Sequence, residues 1–239
     1  DVPGDFPRNF EFLAGNAAVA TSGGRSVLKV LSGARFALPL PEALPDRFTL
    51  EMPVHFPGRW QALRILTARP PDGGLDDYSG HLIVVESYDE QVGLESWNHG
   101  IGGSESEIPQ SLREGFVPLQ VMVDGEYAKV YLDGERVANL PRASLPRGDV
   151  LYFQAREAAS EAPVYVGPIR VHAGGRDLYA TLEKEGRVAV DDILFATDRA
   201  EIRPESADIL EEIASMLREH PDLEVLIEGH TDDQGGFQH

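Results

Sequence analysis

The sequence has no cysteine in its 239 residues. Disulfides, thiolate metal sites and cysteine nucleophiles are therefore excluded, and the redox compartment stays open. Positive charge is scarce as well: 21 Lys and Arg stand against 40 Asp and Glu, a formal net charge of −19. Phosphate backbones are held by clustered Lys and Arg. No such cluster occurs, so neither nucleic acid nor an anionic membrane is an expected partner. No apolar run approaches the roughly 20 residues that a spanning helix needs. Internal repeats and low-complexity tracts are also missing. The first residue is Asp1 rather than Met, which leaves open a signal peptide or lipid anchor in a precursor.

What is present suffices for packed structure. Hydrophobic residues make up 42% and charged residues 26%, enough apolar surface for a core in one large or two modest domains. Up to about residue 175 the pattern is all-β. Short alternating or β-rich runs recur between Gly, Pro, Asn and Asp turn signals. They predict strands at 17–21, 26–31, 48–56, 62–67, 81–87, 92–97, 117–123, 128–132, 136–140, 150–156 and 164–172. Ser22-Gly23-Gly24, Asp124-Gly125 and Asp133-Gly134 read as hairpin turns, because glycine accepts the positive φ of tight loops. Pro53 inside a run predicts an edge strand or a bulge. Many short strands without a clear helix predict two packed sheets.

The character changes near Gly174-Gly175. From Arg176 onward, 17 acidic residues stand against 6 basic ones. Pro204 suits the first position of a helix, and Leu210, Ile213, Ala214 and Leu217 follow the spacing of one buried face. His220-Pro221 predicts its end. Strands are expected on either side, at 187–195 and 223–228. The sequence therefore divides into a β-sandwich, residues 1–175, and a smaller α/β part, residues 176–239.

ILFATDRAEIRPESADILEEIASMLREHPDLEVLIEGHTDDQG, Ile193 to Gly235, resembles the first half of an OmpA-like peptidoglycan-binding domain. The match lies in the Phe195 strand, the Ile202-Arg203-Pro204 helix entry, Pro221 and the IEGHTD strand end. The resemblance implies a truncated α/β sandwich that holds the diaminopimelate-bearing stem peptide of peptidoglycan non-covalently. A fixed Asp would take that residue's ammonium group and a fixed Arg its carboxylate. The Asp of the HTD triplet carries the ammonium role, which assigns it to Asp232, with Thr231 and Gly229 shaping the strand end. Many members have an Asp directly after the Phe. Here Ala196 stands there and Asp198 follows two positions on, so either Asp198 substitutes or the pocket lacks that contact. The family's Asn, its Leu-Ser pair and the Arg of its RA pair come later than His239. Without the elements that carry them, 223–228 would lack a sheet neighbour, which predicts a tail that is disordered, covered or exchanged in a swapped dimer. Asp232 as a cap of the following helix is the competing reading. His230, with only Asp232 and Asp233 near it, does not make a zinc site.

The first 175 residues resemble the concanavalin A-like or laminin-G-like jelly rolls that often precede OmpA-like domains. VMVDGEYAKVYLDGERVANL, DVLYFQA and PVYVGPIRV carry that resemblance. Such sandwiches host lectins, glycosidases and interaction modules alike, so the fold does not select the function. Trp60, Tyr88 and Trp97, with Tyr78, are the aromatic candidates for stacking on sugar. Glu86 and Glu95 are the best strand-borne acid pair, but ESYDE lacks the alternating acids of jelly-roll glycosidases. The Asp72–Asp77 loop reads as a solvated turn rather than a calcium loop. The 100–106 stretch reads as a flexible loop without the ending of a phosphate loop. The expected protein is a mainly β, non-enzymatic protein of the cell envelope, periplasmic, outer-membrane or cell-wall associated. It would anchor to peptidoglycan and bind a polysaccharide or an envelope protein through the sandwich, with no cofactor and no metal. A glycan-active enzyme is the alternative.

Overall fold

A computed structural model describes residues 3–71, 74–75, 78–87, 91–95, 104–156, 158–174, 178–188, 190, 193, 195–196, 199–203 and 206–229. The chain divides into two compact units, Asp1–Arg176 and Asp177–His239.

The first unit contains β1 (Glu11–Ala14), β2 (Ala17–Ser22), β3 (Arg25–Val30), β4 (Arg35–Pro39), β5 (Arg47–His55), β6 (Ala62–Leu66), β7 (Leu82–Glu86), β8 (Gln91–Glu95) and β9 (Ser104–Glu107). After a single helical turn, α1 (Ser111–Glu114), come β10 (Val117–Asp124), β11 (Tyr127–Leu132), β12 (Glu135–Leu140), β13 (Val150–Arg156), β14 (Val164–Val166) and β15 (Arg170–Ala173). They form two antiparallel sheets. One has seven strands in the order β1-β4-β13-β6-β7-β8-β9. The other has eight, in the order β12-β11-β10-β5-β14-β3-β2, with β15 also paired to β5. This is a jelly-roll β-sandwich.

Strand alternation decides what fills it. Phe48, Leu50, Met52 and Val54 of β5, Leu119, Val121 and Val123 of β10, and Val130 and Leu132 of β11 point inward from one sheet. Phe36, Leu63, Ile65, Ile83, Val85, Val92, Leu94, Leu151 and Phe153 meet them from the other. Phe36 and Phe153 stack across β4 and β13 with centroids 4.9 Å apart. A second cluster covers the outer face of the seven-stranded sheet, where Leu66, Leu82, Val84 and Tyr152 are joined by Leu75 and Tyr78.

The turn chemistry follows the expected backbone. Gly23 and Gly24 have φ of 56° and 74° between β2 and β3, and Asp133 and Gly134 have 54° and 84° between β11 and β12. Both loops have positive φ at two successive residues, which matches the twist of a hairpin.

Pro53 differs from its expectation: it sits in an interior strand. Its ladder partner on β10 is Pro118. Neither ring can donate, and each carbonyl is satisfied on the far side. Pro118 accepts from the Asp133 N–H at 3.0 Å, and Pro53 from the Gly167 N–H at 2.7 Å. Gly167 lies in the gap between β14 and β15, where a Cβ would come within 3.0 Å of the Pro53 ring. The single strand expected over 164–172 is split at that point. The stretch expected as a loop at 100–106 is part strand: β9 begins at Ser104 and pairs with β8.

The second unit contains α2 (Leu178–Glu185) and α3 (Ala207–Glu219). Phe195 and Ile202 form an isolated antiparallel bridge. The Tyr179 and His220 rings stack with centroids 3.4 Å apart. On α3, Ile213, Ala214 and Leu217 of the expected face are half-buried and Leu210 is exposed, while Ile209 is buried. The strands expected at 187–195 and 223–228 are not formed among the described residues. A strand needs a partner to satisfy its backbone, and Leu226 and Ile227 stand 85% and 80% exposed.

Candidate functional site

Three connections meet at the pole of the sandwich where β5 passes into β6, and one buried side chain ties them together. Gln61 is 1% exposed. Its Oε1 accepts from the Gly58 N–H at 2.7 Å, which closes the turn 58–61 on itself. Its Nε2 donates to the Ala162 carbonyl at 2.5 Å, in the β13–β14 connection. Its backbone N–H donates to Ser87 Oγ at 2.9 Å, just past β7, and its carbonyl accepts from the Ser87 N–H at 2.7 Å. A buried amide satisfied at both ends holds its surroundings in one arrangement.

The residue that precedes it, Trp60, is 60% exposed. Arg59 beside it is exposed too, as is Glu161 next to Ala162. The Ser160 hydroxyl donates to the Glu161 carboxylate at 2.8 Å and holds that carboxyl below its usual range. Trp60 is thus an outward-facing ring on a fixed turn. The other two expected aromatics, Tyr88 and Trp97, lie outside the described residues. Nothing in the bare sequence distinguished Gln61, because its role depends on loops about 25 and 100 residues away.

The outer face of the seven-stranded sheet carries polar groups in a largely covered setting. Arg64 is 2% exposed and its Nη2 donates to Glu86 Oε1 at 3.3 Å. Gln154 stands opposite Arg64 in the ladder. Its buried Oε1 has no hydrogen-bond partner among the described residues. In the β7–β8 ladder Glu86 pairs with Gln91 and Glu95 with Leu82. That offset of four residues is about 13 Å along the strand. The Glu95 side chain lies outside the described residues.

A serine and a histidine also meet. His81, 1% exposed, has its Nδ1 2.9 Å from Ser144 Oγ. The Ser144 backbone N–H donates to the same Nδ1 at 2.8 Å. That nitrogen is therefore an acceptor already engaged, which suits a loop pin better than a base for the serine. Tyr78, whose hydroxyl reaches toward the Ser144 carbonyl at 3.4 Å, has its pKa raised by burial.

In the second unit, the Ala196 N–H donates to the Glu201 carbonyl at 2.8 Å and closes the turn after Phe195. Asp198, Thr231, Asp232 and His230 lie outside the described residues, as do Asp72 and Asp77 of the acidic loop. Among the described residues no three His, Asp or Glu side chains are grouped to hold a metal. No helix among them is long and apolar enough to cross a membrane.

Residues 194–238 match the OmpA family. Among solved structures, the carbohydrate recognition domain of Emp46p in its potassium-bound form shares the sandwich fold. Its TM-score is 0.51 at 12% identity, over 70% of this chain and 90% of that one. The carbohydrate-binding module CBM66 from Bacillus subtilis gives a TM-score of 0.48 at 14% identity, over 69% of this chain and 96% of that one. No curated protein matches the chain. An OmpA-like segment therefore follows a jelly-roll β-sandwich.

Proposed function

We propose that this is a non-catalytic protein of the cell envelope. Its OmpA-like part holds peptidoglycan non-covalently, and its sandwich presents a surface for a carbohydrate or an envelope partner. The observation that carries the reading is the family match over residues 194–238, which includes the His230-Thr231-Asp232 triplet. In this reading the Asp232 carboxylate receives the ammonium group of diaminopimelate in a charge-assisted hydrogen bond, and Thr231 shapes the strand end. Asp198 takes the second acidic position. The compartment that follows is the periplasm or the wall-facing side of an outer membrane.

The sandwich is the part that presents a binding surface. Its fold is shared with a carbohydrate recognition domain, and one pole carries an exposed indole on a pinned turn. The test is co-sedimentation with purified peptidoglycan, using a chain extended through the family's arginine. Wild type is expected in the pellet and Asp232→Ala in the supernatant. Equal pelleting of the two would remove Asp232 from the contact.

A further inference from the structure

We infer that the pole formed by residues 57–61 and 159–162 is a glycan-binding site, with Trp60 as the stacking platform for a pyranose ring of an uncharged polysaccharide. The inference rests on the reading of the sandwich as a carbohydrate module and names where and what it binds.

Three observations converge on it. The indole is 60% exposed, although burial is the usual fate of so large an apolar ring. It is not presented by a loose loop. Gln61, buried at 1% exposure, fixes the turn through Gly58, Ala162 and Ser87 at 2.5–2.9 Å. A ring held in place before the ligand arrives loses little further freedom on binding, so its contact area converts efficiently into affinity. Finally, the two segments each carry one exposed charged residue, of opposite sign. Arg59 offers guanidinium donors, and Glu161 offers a carboxylate that the Ser160 hydroxyl orients at 2.8 Å. Vicinal sugar hydroxyls need that combination of donor and acceptor, while the C–H face of the ring needs the indole.

Charge selects between classes of glycan. The whole chain carries −19, so a polyanionic chain is repelled as it approaches. Among the described residues of 57–61 and 159–162, one exposed cation and one exposed anion give no local excess to offset that. A neutral hexopyranose chain meets no such barrier. Gln61 acts here as a positioning residue: it does not contact the sugar but sets the plane of the ring.

The experiment uses the intact protein on an array of neutral and anionic oligo- and polysaccharides, followed by calorimetric titration of the neutral probe that binds best. Trp60→Ala is expected to weaken that binding roughly tenfold or more. Trp60→Phe should recover part of it. Both should melt within about 2 °C of wild type, because the side chain is exposed. Gln61→Ala retains the indole but frees the turn that carries it, and should also weaken binding; undiminished binding there would remove Gln61 as the positioning residue. Binding to a neutral glycan that is undiminished in Trp60→Ala would overturn this site and leave the carbohydrate reading intact. Binding only to anionic glycans, or to none, would overturn both.

Discussion

The Arg147 guanidinium lies 5.2 Å from the centroid of the Phe48 ring and donates to three carbonyls of three different segments: Leu145, Asp46 and Gly125. A single cation thereby closes the pole of the sandwich opposite Trp60, where β4 leads into β5 and β10 turns into β11. Burial lowers its pKa, against the opposing pull of Asp46 and Asp124. Arg147→Met keeps the stem and removes the donors. We expect a loss of about 1–3 kcal/mol in urea unfolding. A change below about 0.5 kcal/mol would show the three bonds to be dispensable.

The Arg64–Glu86 pair makes a sharper demand, because Arg64 is 2% exposed and its side chain sits among buried strands. Removing the acid takes one charged partner from that buried cation. Glu86→Ala is expected to destabilise by roughly 2–4 kcal/mol, and Glu86→Gln by less. Glycan binding at Trp60 should survive in whatever fraction stays folded. Unchanged stability in Glu86→Ala would mean that the pair contributes nothing.

Tyr78 gives a dependence on alkali. Its pKa is raised by burial above the ordinary 10.0. Below that value both folded and unfolded chains keep the phenol proton, and the stabilising effect of burial is fully present. Above it the unfolded chain ionises first, so stability falls as pH rises through the folded-state pKa. The urea midpoint should drop more steeply between about pH 9.5 and 11 in wild type than in Tyr78→Phe. Parallel curves would contradict the assignment.

The exposed Leu226 and Ile227 side chains, 85% and 80% accessible, are expected to make this 239-residue chain self-associate at high concentration. Light scattering after size exclusion should show dimer that Leu226→Glu converts to monomer. A monomer at every concentration tested would remove the swapped dimer from consideration.

The strands were legible wherever a core-facing alternation was present, as along β10 and β11. They were hidden where it was not. β9 reads Ser-Glu-Ser-Glu and has no apolar side chain to mark a period. β4 ends at Pro39 with Pro41 two residues on, and its apolar run resembles a connection. β1 is a four-residue edge strand with Phe12 and Leu13 both exposed. Position 53 misled because proline chemistry speaks only of the strand it occupies. Its tolerance comes from Pro118 across one ladder and the interruption at Gly167 on the other. In the same way, Trp60 could be named from the sequence as an aromatic candidate. What holds it outward is Gln61, whose partners are distant in the chain. On α3 the spacing marks Ile213, Ala214 and Leu217, which are half-buried, but not that Ile209 rather than Leu210 is covered in the first turn, because an amphipathic helix offers neighbouring apolar rows.

The most direct test of the anchoring claim is calorimetric titration of the protein, extended through the family's arginine, with a soluble stem peptide ending in diaminopimelate. The account predicts saturable binding that Asp232→Ala abolishes and Asp232→Glu partly restores, with the sandwich still folded. Binding of equal strength in wild type and Asp232→Ala would contradict it.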